Sequence, residues 1–207
     1  MISALMFGGA FNPPTKAHIE LADAARRAAD REKVVFVPSK QSYIRDDQKK
    51  DFAFTDGQRL GMLKDIAAER DWMLVDDYEL REEKQPRSYQ TLCYLREKGI
   101  RCSLLFGSDK LPELKTGWLH IEEIGREFGF VVMTRAGDDC RRMIEEDEYL
   151  SSLSKYITLV DTPEIYRDYS STEVRRLLKN GGDPQKLKDM LPEELGSLKK
   201  YLNGENE

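Results

Sequence analysis

Histidine is almost absent from this 207-residue chain: His18 and His120 are the two of its kind, beside 38 acidic and 33 basic side chains. With no second His/Asp/Glu cluster at ligand spacing, a structural zinc site is not expected, nor is any protein-held metal. No serine stands in a His and Asp arrangement that would suggest a hydrolase triad. Cysteine is scarce too. Cys93, Cys102 and Cys140 are an odd number without metal-ligand spacing, so reduced thiols and a cytoplasmic location are expected. No apolar run approaches the roughly 20 residues that span a bilayer, and no membrane partner is expected. The opening MISALMFGGAF lacks a basic n-region and reads as a buried strand, not a signal peptide. A net charge of −5 argues against the broad basic surface that nucleic acid requires. It leaves room for small phosphorylated partners, which need only a few local donors.

What is present alternates. Short apolar runs, rich in branched and aromatic residues, lie at Ser3–Phe7, Val34–Val37, Trp72–Val75, Ser103–Phe106, Phe130–Met133 and Ile157–Val160. Helical spacing fills Ala17–Asp30, Gln58–Glu69, Tyr89–Lys98, Leu119–Glu127 and Cys140–Glu148. Strands buried on both faces read as continuous apolar runs, and their alternation with helices predicts an α/β fold with a parallel sheet. Right-handed crossovers would put helices on both faces. After Val160 the character changes to a helix over Ser170–Lys179, an Asn-Gly-Gly-Asp-Pro breaker and short helices through Leu202. No linker separates independent domains, so one domain is expected, with an α/β core over 1–165 and a helical part over 166–207. The polar stretch Ser39–Phe54 reads as a long loop.

Chemistry concentrates after the first strand, in Gly8-Gly9-Ala10-Phe11-Asn12-Pro13-Pro14-Thr15-Lys16-Ala17-His18. In open α/β sheets, ligands bind at the carboxyl end of a strand, where the next helix begins. Two glycines let the backbone approach a bulky anion, and the helix start adds unpaired N–H groups and the positive end of its dipole. Thr15 is placed as the N-cap, which puts His18 at the third helical position, within reach of a phosphate oxygen. Singly, these residues are a turn, a cap and a surface histidine; in this order they make an anion site. Neither G-x-G-x-x-G nor a P-loop is present.

A second helix start, Tyr169-Ser170-Ser171-Thr172-Glu173-Val174-Arg175, reads first as an S-x-x-E capping box of Ser170 and Glu173. The same geometry aims N–H groups and the Ser171 and Thr172 hydroxyls at one point. Arg175, one turn on, adds a guanidinium fork suited to phosphate.

The first motif resembles the G-x-F-x-P-x-[H/T]-x-x-H signature of the adenylyltransferase and cytidylyltransferase superfamily, and the second its I-S-S-T-x-[V/I]-R motif, with Tyr169 in place of the aliphatic residue. Thr15 at the variable position is similar to the nicotinate/nicotinamide mononucleotide adenylyltransferase family. The resemblance implies a Rossmann-like, doubly wound sheet and transfer of AMP from ATP to a pyridine mononucleotide, with Mg²⁺ carried on the phosphates. It implies that His18 and Arg175 are catalytic, and that Gly8, Gly9, Ala10, Phe11, Thr15, Gly107, Asp109, Ser170, Ser171 and Thr172 bind ATP. The mononucleotide falls to Asn12, Lys40, Ser88, Tyr89, Thr91, Trp118 and Arg135. Gly107-Ser108-Asp109 resembles the family's G-x-D element, and Trp118 its pyridine-stacking tryptophan. Ser88-Tyr89-Gln90-Thr91 is a partial match to the segment that reads the nicotinyl group. The usual P-P-H-K after the second strand is missing here, which leaves Lys40, Arg45, Lys49 and Lys50 as alternatives for the mononucleotide phosphate. Nicotinate against nicotinamide stays open, as does homo-oligomer formation. Two other readings are a sibling transferase acting on phosphopantetheine or an alcohol phosphate, and a nucleotide-binding regulatory module without catalysis.

Overall fold

The computed structural model describes residues 1–46, 54–134, 138–196, 198 and 201. Each apolar run becomes a strand. In chain order the first half holds β1 (Ile2–Gly9), α1 (Lys16–Ala28), β2 (Lys33–Pro38), α2 (Gln41–Asp46), α3 (Asp56–Ala68), β3 (Met73–Val75) and α4 (Tyr78–Arg81). The second holds α5 (Ser88–Glu97), β4 (Ile100–Gly107), α6 (Ile121–Glu127), β5 (Phe130–Thr134), α7 (Cys140–Glu146), α8 (Glu148–Leu153), β6 (Ile157–Asp161), α9 (Ser171–Asn180) and α10 (Pro184–Met190). The strands form one parallel sheet in the order β3-β2-β1-β4-β5-β6, the Rossmann-like, doubly wound α/β arrangement. The winding reverses at β1, whose carboxyl end carries Gly8 and Gly9.

The chain divides into two compact units. The first comprises Met1–Phe7, Leu21–Val35 and Pro86–Glu164. Its strands are parallel and in register, with Ala4 beside Cys102, Leu105 beside Val131 and Val132 beside Leu159. Ala4, Leu5, Leu104, Leu105, Val131 and Val132 are all buried, the continuous burial of strands covered on both faces. In α6, Gly125 lies so close to the rings of Tyr156 and Phe130 that a Cβ would meet them at 3.0 and 3.1 Å.

The second unit comprises Gly8–Glu20, Phe36–Gln85 and Ile165–Glu207. Its core holds Phe11, Phe36, Met62, Leu63, Ile66, Val174, Leu177 and Leu195. Helix α3 opens on a full capping box. The Thr55 hydroxyl accepts from the Gln58 N–H at 3.3 Å, and the Gln58 carbonyl oxygen accepts from the Thr55 N–H at 2.8 Å. The buried Tyr201 hydroxyl donates to Asp65, and its carbonyl accepts from Gln58. The expected breaker is there. Gly181, at φ +62°, ends α9 in the left-handed conformation that favours glycine, and Asp183 caps α10 at Gln185.

Two expectations need correction, and one short element was not foreseen. The stretch Ser39–Phe54 is not all loop, since α2 occupies Gln41–Asp46, while residues 47–53 lie outside the described residues. The helix expected over Cys140–Glu148 is two, because Asp147 is extended and its carboxylate accepts from the N–H groups of Tyr149 and Leu150, starting α8 afresh. The four-residue α4 is too short to show a period in sequence.

Gly125→Val should lower the free energy of unfolding by about 2 kcal/mol, because two methyls must enter a filled space. Gly57→Ala, where a Cβ meets nothing within 4 Å, should be neutral or slightly stabilising. Urea unfolding of both variants checks the pair, and equal stabilities would show that the helix yields without cost.

Candidate active site

The loop that leaves β1 is held by its carbonyls. The Gly9 carbonyl accepts from the Ser39 N–H at 2.9 Å, and the Ala10 carbonyl from the Arg59 guanidinium. The Asn12 carbonyl accepts from Arg175 at 2.8 Å and the Pro13 carbonyl from the Ser171 hydroxyl at 2.8 Å. In a trans peptide the C=O and the following N–H point opposite ways, so tying back Gly9 and Ala10 turns the N–H groups of Ala10 and Phe11 away from those partners. Phe11 takes φ +45°, an uncommon conformation for a bulky residue. Its ring is buried against Phe36 and lies over Gly9, where a Cβ would meet it at 3.2 Å. Gly9 is therefore required by packing. Gly8 differs: it is exposed, and a Cβ there would meet nothing within 4 Å.

Thr15 is fully buried and does two things at once. It stands before α1 as the expected N-cap, with its hydroxyl 3.5 Å from the His18 N–H. It also engages the His18 ring, its N–H donating to Nδ1 at 3.1 Å and its hydroxyl lying 2.7 Å from the same atom. An Nδ1 that accepts from a backbone N–H is unprotonated, which puts the imidazole hydrogen on Nε2. An edge-to-face contact with Phe11, centroids 5.4 Å apart, sets the ring further.

Helix α9 docks on the same loop through Ser171 and Arg175, whose guanidinium also donates to the Thr172 hydroxyl at 3.2 Å. Ser170 caps it, accepting from the Glu173 N–H at 3.1 Å. The reciprocal half of the expected box is not made. The Glu173 carboxylate turns instead to Arg176, at 2.6 and 2.7 Å, and to Lys186, at 2.8 Å. Those two cations, Arg176 foremost, hold its carboxyl down to about 2. They also offset a negative charge that would oppose an anion at this helix start.

Arg59 was not among the sequence candidates. Its side chain has no exposed surface, and besides Ala10 it donates to the Ser39 carbonyl at 2.6 Å and to Asp56. Burial pushes its guanidinium below its usual range and Asp56 draws it back. The signal was in the spacing: positions 59, 62, 63 and 66 form one helical stripe whose other members are Met, Leu and Ile. Lys40 is committed to structure. Its ammonium closes the end of α4, donating to the Leu80 carbonyl at 2.8 Å and to the Glu82 carbonyl. Asn12 is 1% exposed, and neither side-chain amide atom has a hydrogen-bond partner among the described residues. A buried polar group in that state costs about 1–3 kcal/mol.

All of these residues belong to the second unit. Gly107, Asp109, Trp118, Ser88, Tyr89 and Thr91 belong to the first, whereas the alternative Arg45 falls in the second. Gly107 ends β4, and the Ser108 hydroxyl donates to Asp138 at 2.5 Å while Asp109 is exposed. Trp118 is half-buried against Phe106, centroids 5.5 Å apart. Ser88 opens α5 as its first helical residue, and the N-cap is Arg87, whose N–H is accepted by Gln90 at 2.8 Å. Tyr89 stacks on His120 at 5.3 Å and donates to Glu127 at 3.1 Å. Arg96 and then Tyr89 hold the Glu127 carboxyl low, while the bond to Glu127 pushes the Tyr89 hydroxyl up. Thr91 is buried, with its hydroxyl 3.5 Å from the Arg87 carbonyl. Lys49, Lys50 and Arg135 lie outside the described residues. Among the described residues no three His, Cys, Asp or Glu side chains gather as a metal site, and no helix is long and apolar enough to cross a membrane.

The cytidylyltransferase-like family model matches residues 6–177, from the middle of β1 into α9. The chain is 31% identical over 179 residues to a Clostridium novyi protein named "Probable nicotinate-nucleotide adenylyltransferase", a match covering 84% of this chain and 86% of that one. A Caldicellulosiruptor bescii protein of the same name is 30% identical, with 84% and 85% covered. In fold, the chain is similar to the nicotinic acid mononucleotide adenylyltransferase of Plasmodium falciparum solved with APC, at a TM-score of 0.73 and 19% identity over 97% of this chain and 96% of that one. With the glycine loop, His18 and the start of α9 inside the matched span, this chain belongs to the cytidylyltransferase-like family, among the nicotinate-nucleotide adenylyltransferases.

Proposed function

We propose that the chain transfers AMP from ATP to nicotinate mononucleotide, giving the dinucleotide and pyrophosphate, a step of NAD biosynthesis. The observation that carries this reading is the docking of a second helix start on the phosphate loop, through Ser171 to Pro13 and Arg175 to Asn12. Two helix N-termini and a histidine on one loop suit a polyphosphate rather than a single phosphate. The choice of nicotinate follows the relatives' names.

In the reaction a 5′-phosphate oxygen of the mononucleotide attacks the α-phosphorus of ATP. The bond from that phosphorus to the bridging oxygen breaks, and pyrophosphate leaves with the electron pair. No protein nucleophile is needed, so the chain's contribution is positioning and charge neutralisation. His18 donates from Nε2 to a phosphate oxygen, with Thr15 fixing that tautomer. The N–H groups of Ala10 and Phe11 and the start of α9 with Ser170, Ser171, Thr172 and Arg175 bind the phosphates. Mg²⁺ arrives as part of the Mg·ATP substrate, held by phosphate oxygens and water. The orphaned Asn12 amide is satisfied by substrate. Gly107 and Asp109 meet the adenosine; Trp118, Ser88, Tyr89 and Thr91 serve the pyridine nucleotide. The proposed setting is cytoplasmic.

The primary test is pyrophosphate release from ATP and Mg²⁺ with nicotinate or nicotinamide mononucleotide. Release is expected with nicotinate mononucleotide foremost; none with either would sink the proposal. In the same assay His18→Ala should cost about 10²- to 10³-fold in turnover, as loss of one preorganised donor does. A folded His18→Ala with near-normal turnover would remove the histidine from the mechanism.

Thr15→Val removes one hydrogen bond to Nδ1 and should slow turnover about 2- to 10-fold, with Thr15→Ser restoring it. Equal rates in all three would show that the backbone N–H alone fixes the ring. Gly8→Val should leave the melting temperature nearly unchanged, since its side chain meets no protein atom, yet raise KM for ATP about tenfold or more by blocking close approach. An unchanged KM would place the phosphates elsewhere.

A further inference from the structure

Arg59 stands on the core face of α3 with Met62, Leu63 and Ile66. Charged side chains are almost never fully buried unless paired, because desolvation is costly and must be met by acceptors of good geometry. The acceptors chosen here are informative. One nitrogen of the fork, Nη1, meets the Ala10 carbonyl; the other, Nη2, meets the Ser39 carbonyl and the Asp56 carboxylate. Asp56 also accepts from the Gln41 N–H at 2.7 Å, and the Ser39 N–H donates to the Gly9 carbonyl at 2.9 Å. A closed circuit results: Gly9 to Ser39, Ser39 to Arg59, Arg59 back to Ala10. It joins the loop after β1 to the segment after β2. The two carbonyl bonds leave α3 for loops outside it, and a Leu or Met on that face would fill the core at a lower desolvation cost.

Ala10 lies between the glycines and Phe11, where the backbone must present N–H groups and withhold oxygen lone pairs. A carbonyl rotated toward a phosphate would repel it. A planar fork reaching two carbonyls at once resists that rotation, and an ammonium, a compact point charge, cannot reproduce its geometry.

We infer that Arg59 is a positioning residue for the nucleotide: by holding the Ala10 and Ser39 carbonyls inward, it keeps the Phe11 N–H turned to the phosphates of ATP. The inference rests on the reading of this loop as the ATP phosphate site. Asp56 fixes the fork and so acts through Arg59. Removal of either weakens ATP binding out of proportion to the loss of stability.

The dissociation constant of ATP, measured by titration calorimetry on the whole protein, tests this without turnover. Arg59→Lys should weaken ATP about 10- to 100-fold, the scale of a misplaced binding group. Asp56→Asn, which leaves Arg59 in place, should weaken it about 2- to 10-fold, the worth of one hydrogen bond. Leu63→Ala, a buried apolar change on the same helix, should lower the melting temperature but change ATP affinity less than about twofold. ATP affinity unchanged in Arg59→Lys, or weakened as much by Leu63→Ala, overturns the inference. If Arg59→Lys does not fold, Asp56→Asn decides on the same terms: wild-type affinity overturns it. Wild-type protein that binds ATP yet releases no pyrophosphate defeats the transfer reading alone, whereas failure to bind ATP defeats both.

Discussion

The loop after β1 gives up its backbone carbonyls to distant donors, and much of the second unit is arranged around those ties. Gly9, Ala10, Asn12 and Pro13 each surrender a carbonyl to a donor far away in sequence: Ser39, Arg59, Arg175 and Ser171. The end of β2, the core face of α3 and the start of α9 each supply at least one of these donors. Where packing demands a small residue the loop has Gly9, under the Phe11 ring; where nothing in the protein does, it has Gly8, open to whatever approaches. The positive φ of Phe11 is the conformational cost of turning the chain so tightly, and burial of its ring helps to offset it.

Charge around this loop is managed by pairing. Glu173 would set a negative charge in the first turn of α9, yet Arg176 and Lys186 pair with it. Lys40, the first cation after β2 and a natural candidate to meet a phosphate, spends its ammonium on two carbonyls at the end of α4. Nearness in sequence to the glycine loop thus does not bring Lys40 to it. Those that reach the loop, Arg59 and Arg175, come from other helices.

The centre of the sheet was legible because burial on both faces forces continuous apolar runs in β1, β2, β4 and β5; the edge strands β3 and β6, each with one buried residue, were legible from shorter apolar runs. The contact of Thr15 with His18 was legible because the two lie three residues apart at a helix start, and so was the start of α9, whose Ser170 cap and Arg175 lie within one short motif. Local polar competition hid the rest. Asp147 looked like part of the last turn of one helix and is the cap of a second. Gln90 looked like a departure from a binding motif and closes the first turn of α5. Arg59 drew no notice, because charge argues for the surface more strongly than three apolar neighbours on its stripe argue for the core. A hydrogen bond 49 residues long cannot be read from either end.

The bonds that fasten α9 to the loop after β1 span 158 and 163 residues, which has a consequence for the order of events during synthesis. Contacts of such separation form only after a large chain entropy has been given up, so they close late. The glycine loop leaves the ribosome early and β1 can pair long before α9 exists. Until that helix arrives, the loop lacks two of its four ties, and a nascent chain holds the glycines of the motif without the means to fix them. The order of these four ties is thus written into the order of the chain, and the last two can close only once α9 has been made.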